Sequence, residues 1–300
     1  MKQTGNLNHK KLSANGSLTL VNPQNGNLAF KLFPFEDDSS FDHVLSHNYY
    51  TMLLILDGGG SIRVDFAEYD FDANALLSFG ACQPFMVSST GQLRGWAIHF
   101  HPDFFCIHKH QQEVACNGVL FNNIYEAPVV KLDDATVKDM VELIGRMQTE
   151  MQNSEVAQYE LLVSYLKILL ITASRIKIAQ SPRPLAAGGK EPFVLQNFKE
   201  AIEKHYKTKH SAGDYAGMLH ISTKSLARLS KNHFNKTPTS LIAERLVIEA
   251  KRELYLTAKP VKAIAYELGF NDEYYFSRFF KSNTDVSPQL YRDTVGFARG

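Results

Sequence analysis

The chain has 300 residues, of which 44% are hydrophobic and 21% are charged, with a formal net charge of +1. This composition is that of an ordinary globular protein and excludes the fibrous and strongly disordered classes. The near-neutral total hides a split, because residues 1–189 carry 14 basic and 19 acidic side chains and residues 190–300 carry 18 and 12. The C-terminal part is therefore the candidate for binding a polyanion.

The cysteines and the N-terminus indicate the compartment. Cys82, Cys106 and Cys116 are odd in number and far apart, which argues against a disulfide framework and suits a reducing cytoplasm. Residues 1–17 are polar and lack the apolar core of a signal peptide. No apolar run approaches the roughly 20 residues that span a bilayer. We therefore expect a cytoplasmic protein without membrane contact.

The N-terminal part follows a β pattern after a polar arm. Residues 1–17 are rich in Asn, Lys, Gly and Ser and predict a flexible arm. From 18 to about 102, short apolar runs alternate with turn formers, and Asp57-Gly58-Gly59-Gly60 predicts a hairpin turn between two strands. Many short strands at this spacing predict a barrel or a sandwich. The clearest runs are 28–33, 52–56, 61–66 and 95–100.

Helical patterns follow Pro102. Asp133 and Asp134 predict a helix start, and a helix over about 155–178 carries a broad apolar stripe. That stripe either packs on the N-terminal domain or forms a dimer contact. Residues 181–191 are rich in Pro and Gly and predict a linker. The boundary separates a domain over 18–180 from a helical domain over 192–300.

The helical domain contains an internal repeat of about fifty residues. Each copy reads as a short helix, a tight turn and a second short helix with an apolar back and a basic front. Upstream of the turn the offset is 49, so the second turn carries one extra residue. Two such units joined by a long helix would place two helices in successive major grooves, roughly 34 Å apart. The aligned pairs include Ser222 with Asp272, Leu226 with Phe276, Arg228 with Arg278 and Lys231 with Lys281.

Five segments carry the most specific pattern of the helical domain: 219–222, 245–250, 264–270, 275–281 and 287–292. In these segments residues 192–300 resemble the DNA-binding domain of the AraC/XylS family of transcriptional regulators. Asn235 and Asp285 stand where that family has Gly, and both tolerate a left-handed helix end. Ser230 stands where the family often has Phe, which predicts a less well-packed first unit than the second, where Phe280 fills that position.

The resemblance implies a set of DNA contacts. Arg228 and Arg278 can each donate two hydrogen bonds to guanine, worth about 1–3 kcal/mol of discrimination. The implied base-reading residues are Lys224, Ala227, Arg228, Tyr274, Tyr275 and Arg278. Phosphate contacts position a protein without specifying sequence. The candidates for these are Ser222, Lys231, Ser277 and Lys281.

For the N-terminal part the resemblance implies a cupin-like regulatory β-barrel followed by helices, so the fold class is α+β multidomain with an all-α C-terminal domain of two helix-turn-helix units. Such a barrel would bind a small-molecule effector, and its helices would form a homodimer. The aromatic residues that would line an effector pocket, or else fill the core, are Phe30, Tyr49, Phe85 and Trp96. RNA polymerase is a further partner of such a regulator.

The histidines raise a metal hypothesis. His99 and His101 would share one strand face, with His47 nearby, but the following Glu that metal-binding cupins use is absent. We therefore expect no metal and no cofactor. The leading interpretation is a sequence-specific transcription regulator, an activator by resemblance, that binds double-stranded DNA and is not an enzyme. The alternatives are a cupin-type metal-dependent enzyme fused to a helical domain, and a DNA-binding protein without sequence preference.

Overall fold

A computed structural model describes residues 16–22, 26, 28–65, 67–114, 116, 118–153, 156–180 and 193–295. The chain divides into two compact units. One comprises the described residues up to 180 except 63–68 and 124–127, and the other comprises those two segments and 193–295. Most of the predicted arm and the whole predicted linker lie outside the described residues. None of the described helices is long and apolar enough to cross a membrane.

The N-terminal unit is built from short antiparallel strands. A six-stranded sheet has the order β1-β2-β8-β3-β6-β9, and a three-stranded sheet has the order β5-β4-β7. The strands are β1 (Leu18–Val21), β2 (Leu28–Phe35), β3 (Tyr50–Asp57), β4 (Gly60–Val64), β5 (Ala67–Phe71), β6 (Ala75–Phe79), β7 (Phe85–Ser89), β8 (Arg94–Phe100) and β9 (Val129–Lys131). The described strands thus form two sheets, and their pairing does not close a barrel.

The predicted hairpin at Asp57–Gly60 is wrong. The turn is present, but β3 belongs to the six-stranded sheet and β4 to the three-stranded one, so the chain crosses between sheets here. A side chain on Gly58 would collide with the carbonyl oxygen of Gln92, and one on Gly60 with that of Ser88. The glycines therefore allow close backbone approach at a crossover, a second use of such a run besides hairpin closure.

The two faces of the six-stranded sheet have different partners. On one face Leu32, Met52 and Ile98 belong to a core shared with the buried stripe of α3 (Gln158–Gln180), whose members are Leu162, Leu166, Leu169, Leu170 and Ala173. The stripe therefore packs within its own unit. The opposite face meets the three-stranded sheet, where the rings of Phe79 and Phe85 stack with centroids 4.0 Å apart. The preceding helices are α1 (Gln111–Val114) and α2 (Asp134–Gln152). Helix α2 begins where the sequence predicts a helix start, and Asp133 caps it.

The C-terminal unit is helical from 193 to 295. Two short-helix pairs flank one long helix, as the repeat predicts. The helices are α4 (Phe193–His205), α5 (Ala212–Met218), α6 (Thr223–Phe234), α7 (Pro238–Leu256), α8 (Val261–Glu267), α9 (Glu273–Thr284) and α10 (Pro288–Val295). The core between them uses one face of each helix, including Phe198, Tyr215, Leu246, Ile264 and Phe276. The outer faces of α6 and α9 stay exposed to solvent.

Candidate nucleic-acid interface

The first helix-turn-helix unit is α5, a four-residue turn and α6. Ser211 and Asp214 form a reciprocal capping box at the start of α5. Ser222 caps α6, and its hydroxyl accepts a hydrogen bond from the Ser225 amide at 3.1 Å. These caps satisfy backbone donors that the helices leave free, so both helices begin at defined residues.

The second unit, α8 and α9, repeats this plan. Its helices contain 7 and 12 residues, the same lengths as α5 and α6. Asp272 caps α9, and its carboxylate accepts from the amides of Tyr274 at 3.1 Å and Tyr275 at 2.9 Å. The turn from 268 to 272 has five residues against four in the first unit, so the predicted extra residue is confirmed.

Both turns bend at one residue with a left-handed backbone. Gly269 has φ +80°, and a side chain there would collide with the carbonyl oxygen of Lys207. At the equivalent position the first unit has His220, with φ 54°. A non-glycine residue in this conformation costs on the order of 1 kcal/mol, so the first turn is the more strained. Helices α6 and α9 end alike, with Asn235 at φ 57° and Asp285 at φ 63°.

The second helices of the two helix-turn-helix units bury a ring and a hydroxyl in opposite order along the chain. Ser230 and Phe234 are buried in α6, whereas Phe280 and Thr284 are buried at the aligned positions of α9. The ring that Ser230 lacks is thus balanced by a ring one turn later. The prediction of a poorly packed first unit does not allow for this exchange.

Each unit keeps one hydroxyl for the same backbone task. Ser230 Oγ donates to the carbonyl oxygen of Lys236 at 2.8 Å, and Thr284 Oγ1 lies 2.9 Å from the carbonyl oxygen of Phe280 and 3.1 Å from that of Val286. Residues 236 and 286 are aligned in the repeat. Small polar residues in the two cores therefore satisfy a carbonyl in the turn that follows each second helix.

The six candidate base-reading residues lie on exposed faces of α6 and α9. Tyr274 is 75% exposed and Tyr275 is 56% exposed. The Tyr275 ring lies 5.9 Å from that of Phe270, so this side chain also packs against the turn. Within each helix the structure brings these residues onto one solvent-facing surface: Lys224, Ala227 and Arg228 on α6, and Tyr274, Tyr275 and Arg278 on α9.

The candidate phosphate-contacting residues differ in how free they are. Lys231 donates to the carbonyl oxygen of Asn235 at 3.1 Å, and the Ser222 hydroxyl is occupied as a helix cap. Lys281 is exposed, and Ser277 is partly buried. Lys281 is thus the more available of the two lysines for an anion.

Two arginines hold the long helix in place. Arg245 on α7 donates to Glu203 at 2.8 Å, and its guanidinium lies 4.0 Å from the centroid of the Tyr206 ring. Arg292 on α10 donates to the carbonyl oxygens of Leu254 at 3.1 Å and Lys259 at 2.7 Å, at the end of α7. Both lie in segments that carry the family resemblance, yet the sequence indicates no role for them. These contacts fix α7 between the two helix-turn-helix units.

The predicted effector-pocket residues separate in the N-terminal unit. Tyr49 lines a cavity of about 700 Å³. Phe30 and Trp96 lie on the helix-covered side of the sheet, where Phe30 is fully buried, and Phe85 stacks on Phe79. Sequence reasoning missed the cavity's polar residues Lys31, Ser39 and Ser40, and it considered His47 and His99 only as metal ligands.

The structure also places the candidate metal ligands. Among the described residues, no group of three or more His, Cys, Asp or Glu is arranged to hold a metal ion. His101 Nδ1 accepts a hydrogen bond from the Asp103 amide at 3.1 Å, whereas His99 faces the cavity with His47.

The C-terminal unit is similar in sequence to known proteins. A family model described as a helix-turn-helix domain matches residues 215–294. The raffinose operon transcriptional regulatory protein RafR of Pediococcus pentosaceus is 30% identical over 95 residues, which are 32% of this chain and 34% of that protein. The transcriptional activator RhaS of Enterobacter sp. (strain 638) is 25% identical over 165 residues, which are 54% of this chain and 56% of that protein.

The solved C-terminal domain of AraT, a response regulator from Geobacillus stearothermophilus, is 25% identical, covers 37% of this chain and 93% of that domain, and has a TM-score of 0.35. The chain spans between about a third and a little over half of the length of the curated relatives named above. Both relatives are transcriptional regulators. Residues 215–294 of the chain thus form a helix-turn-helix domain that is similar to the matching parts of these transcriptional regulators.

Proposed function

We propose that the protein regulates transcription by reading two neighbouring major-groove segments of one DNA site in the cytoplasm. The observation that supports this proposal is the similarity in structure of the two helix-turn-helix units. Each has helices of 7 and 12 residues, left-handed residues at the same turn and helix-end positions, and an exposed basic face on its second helix. A single helix pair is common in helical bundles, whereas a repeated pair with matched outward cations fits a bipartite DNA reader.

The site residues divide into two proposed roles. Arg228 and Arg278 donate to base edges, because both are exposed on the reading faces and a guanidinium matches guanine O6 and N7. Lys281 and Lys231 contact phosphates, which set register and affinity without sequence information. Lys224, Ala227, Tyr274 and Tyr275 complete the reading faces, and Ser222 and Ser277 the phosphate contacts.

The test is selection of binding sites from a random DNA library, followed by fluorescence anisotropy on the selected site. Specific binding of 10³-fold or more over random DNA at physiological salt is expected. Arg146→Ala is the matched control for the Arg228→Ala and Arg278→Ala variants. Arg146 is an exposed arginine of the N-terminal unit and pairs with Glu142 at 2.7 Å. Equal competition by random DNA would leave a protein without sequence preference.

We also propose that the protein acts as a homodimer and as an activator that contacts RNA polymerase. Support for the dimer comes from α3, where Leu161 is 39% exposed and Ile168, seven residues later, is 52% exposed beside the buried stripe. Apolar side chains two turns apart share a helix face. Sedimentation velocity would show a dimer for the wild type and a monomer for Ile168→Glu, and an unchanged distribution would place the contact elsewhere.

The N-terminal unit is proposed to bind a small effector. The cavity of about 700 Å³ supports this, since ligand pockets in proteins usually enclose 300–1,000 Å³. A thermal-shift screen against small metabolites tests the role, and transcription in vitro with and without a hit measures its effect on activation.

A further inference from the structure

Three polar residues line up across three neighbouring strands of the N-terminal unit. Strand pairing sets Lys31 on β2 directly opposite His99 on β8, and His99 directly opposite Thr51 on β3. Directly opposed residues project to the same face of a sheet. Thr51 also pairs with Phe79, whose ring stacks on the three-stranded sheet, so the row lies on the face away from the helices.

The row is unusual because its neighbours on the same face of β3, β6 and β8 are apolar. Leu53, Ile55, Leu77 and Ala97 on the same strands are fully or almost fully buried. His99 is only 4% exposed, and neither of its ring nitrogens has a hydrogen-bond partner among the described residues. A buried polar group without a partner costs about 1–3 kcal/mol. Such a cost is expected where a ligand supplies the missing partner.

The row opens into the cavity of about 700 Å³. Lys31, His99 and His47 contribute the nitrogen-bearing groups of its inner part. The Tyr49 ring stacks on both imidazoles, with centroids 4.6 Å from each, and the two imidazole centroids lie 6.0 Å apart. Phe33, which also lines the cavity, lies beneath the Lys31 ammonium at 4.5 Å. The inner part thus combines nitrogen donors with aromatic walls.

The charge of the inner part is not balanced by protein. Within the part of the chain that the structure describes, no carboxylate lies within ion-pair distance of Lys31. Burial, followed by the proximity of His47 and Lys31, holds the pKa of His99 well below its usual value. Burial, followed by Lys31 and His43, also lowers the pKa of His47. An anion placed here would pair with the Lys31 ammonium and accept a hydrogen bond from the N–H of the neutral His99 imidazole.

Among the described residues that line the cavity, the carboxylates are exposed. Glu36 and Asp37 line the outer part of the cavity and are exposed, as are Ser39 and Ser40. Asp37 already accepts a hydrogen bond from the Ser39 amide at 3.0 Å. Exposed charges are screened by water, so they weaken the attraction of the inner end for an anion only slightly.

We propose that this cavity binds a small organic carboxylate, with its acid group between Lys31, His99 and His47 and its body against Phe33, Phe35 and Phe41. The cavity exceeds the volume of an inorganic anion, and its aromatic wall requires an organic body. This inference deepens the proposed effector role of the N-terminal unit and rests on it for the regulatory consequence. Binding itself is independent of DNA.

The test is isothermal titration of the full chain with four acids and their matched neutral amides: benzoate, cyclohexanecarboxylate, glucuronate and octanoate, each against its amide. At least one acid is expected to bind with Kd below 1 mM and at least tenfold more tightly than its amide. The Lys31→Met variant is expected to lose at least tenfold in affinity for that acid. Lys138→Met, an exposed lysine on α2, is the matched control and binds as the wild type does.

Several outcomes overturn the proposal. These are no saturable binding by any acid, equal binding of acid and amide, undiminished binding by Lys31→Met, or binding of inorganic phosphate with the same affinity as the best acid. Where Lys31→Met does not fold, His99→Gln takes its place with the same tenfold criterion. Anisotropy on DNA is measured in parallel. Intact specific DNA binding with no acid binding refutes the ligand inference alone, and the reverse result refutes the proposed function alone.

Discussion

The two helix-turn-helix units share a backbone and differ in what fills it. Their helices have equal lengths and left-handed residues at equivalent places, yet Ser230 and Phe234 in one correspond to Phe280 and Thr284 in the other. The same fold therefore tolerates a ring moved by one helical turn, provided that a hydroxyl remains to satisfy the carbonyl after the helix. The reading faces vary independently, because α6 presents Lys224, Ala227 and Arg228 and α9 presents two tyrosines and Arg278.

The largest expected effect tests the different positions of the buried rings in α6 and α9. Phe280→Ala is predicted to destabilise the domain by about 3–5 kcal/mol, and Phe234→Ala by a similar amount, because each removes the one ring of the exchanged pair of positions in its second helix. Urea unfolding followed by circular dichroism measures both. A loss below about 1 kcal/mol for Phe234→Ala alone would show that the first core does not depend on its ring.

The next test concerns the two turns. Gly269→Ala is predicted to cost about 2–4 kcal/mol, since it adds a left-handed penalty and a collision with the Lys207 carbonyl. His220→Gly removes the strain of the equivalent residue and is predicted to change stability by less than about 1 kcal/mol. Thermal unfolding of the two variants compares the positions. Similar losses for both would mean that His220 has a role beyond conformation.

DNA recognition gives the third comparison. Arg228→Ala and Arg278→Ala are each predicted to lose about 1–3 kcal/mol of discrimination at one base pair, with the two affected positions about one helical turn of DNA apart. Anisotropy titrations on a selected site with single base substitutions measure this. If a variant weakens binding to all sequences equally, its arginine positions the protein rather than reading a base.

A smaller effect distinguishes the units by pH. His210 contacts the second turn, with its ring 4.9 Å from Phe270, and burial lowers its pKa. The folded state therefore resists protonation, so stability is full above the unfolded pKa of about 6.5 and falls as pH drops below it. The loss is predicted to be below about 1 kcal/mol between pH 7.5 and 5.5. His210→Gln should flatten this part of the wild-type profile, and an unchanged profile would contradict the assignment.

The smallest expected effect concerns the phosphate contacts. Lys281→Ala is predicted to weaken binding to all sequences and to reduce the salt slope, log K against log salt, by about 0.9. Lys231→Ala should reduce it less, because Lys231 already donates to the Asn235 carbonyl. Titrations from 50 to 200 mM salt measure both slopes. Equal reductions would show that DNA displaces the Lys231 contact at little cost.

The repeat was predictable because its signals are local. Caps such as Ser222 and Asp272, the turn at Gly269 and apolar residues three and four positions apart all act within a few residues. The buried ion pair of Lys236 with Glu244, at 2.7 Å, was not predictable, because neither residue type indicates burial. Burial raises the pKa of Glu244 to about 7 in spite of its partner.

The cavity could not be predicted from local sequence patterns. Its inner end depends on the pairing of β2 with β8, which aligns Lys31 with a residue 68 positions later in the chain. A change of one residue in that register would turn His99 to the opposite face. The crossover at Gly58–Gly60 was not predicted for the same reason, because a glycine-rich turn does not specify which sheet the next strand joins.

Arg292 fixes the end of the long helix α7, which joins the two helix-turn-helix units. The distance between α6 and α9 can therefore change only in steps of one residue of α7. Its 19 residues span about 28 Å, and each inserted residue would advance the second unit by 1.5 Å and rotate it by about 100°. One base pair rotates DNA by only about 34–36°. Gradual lengthening of this helix would therefore misalign the two units, and spacer changes between operator half-sites must arise in steps near a whole helical turn.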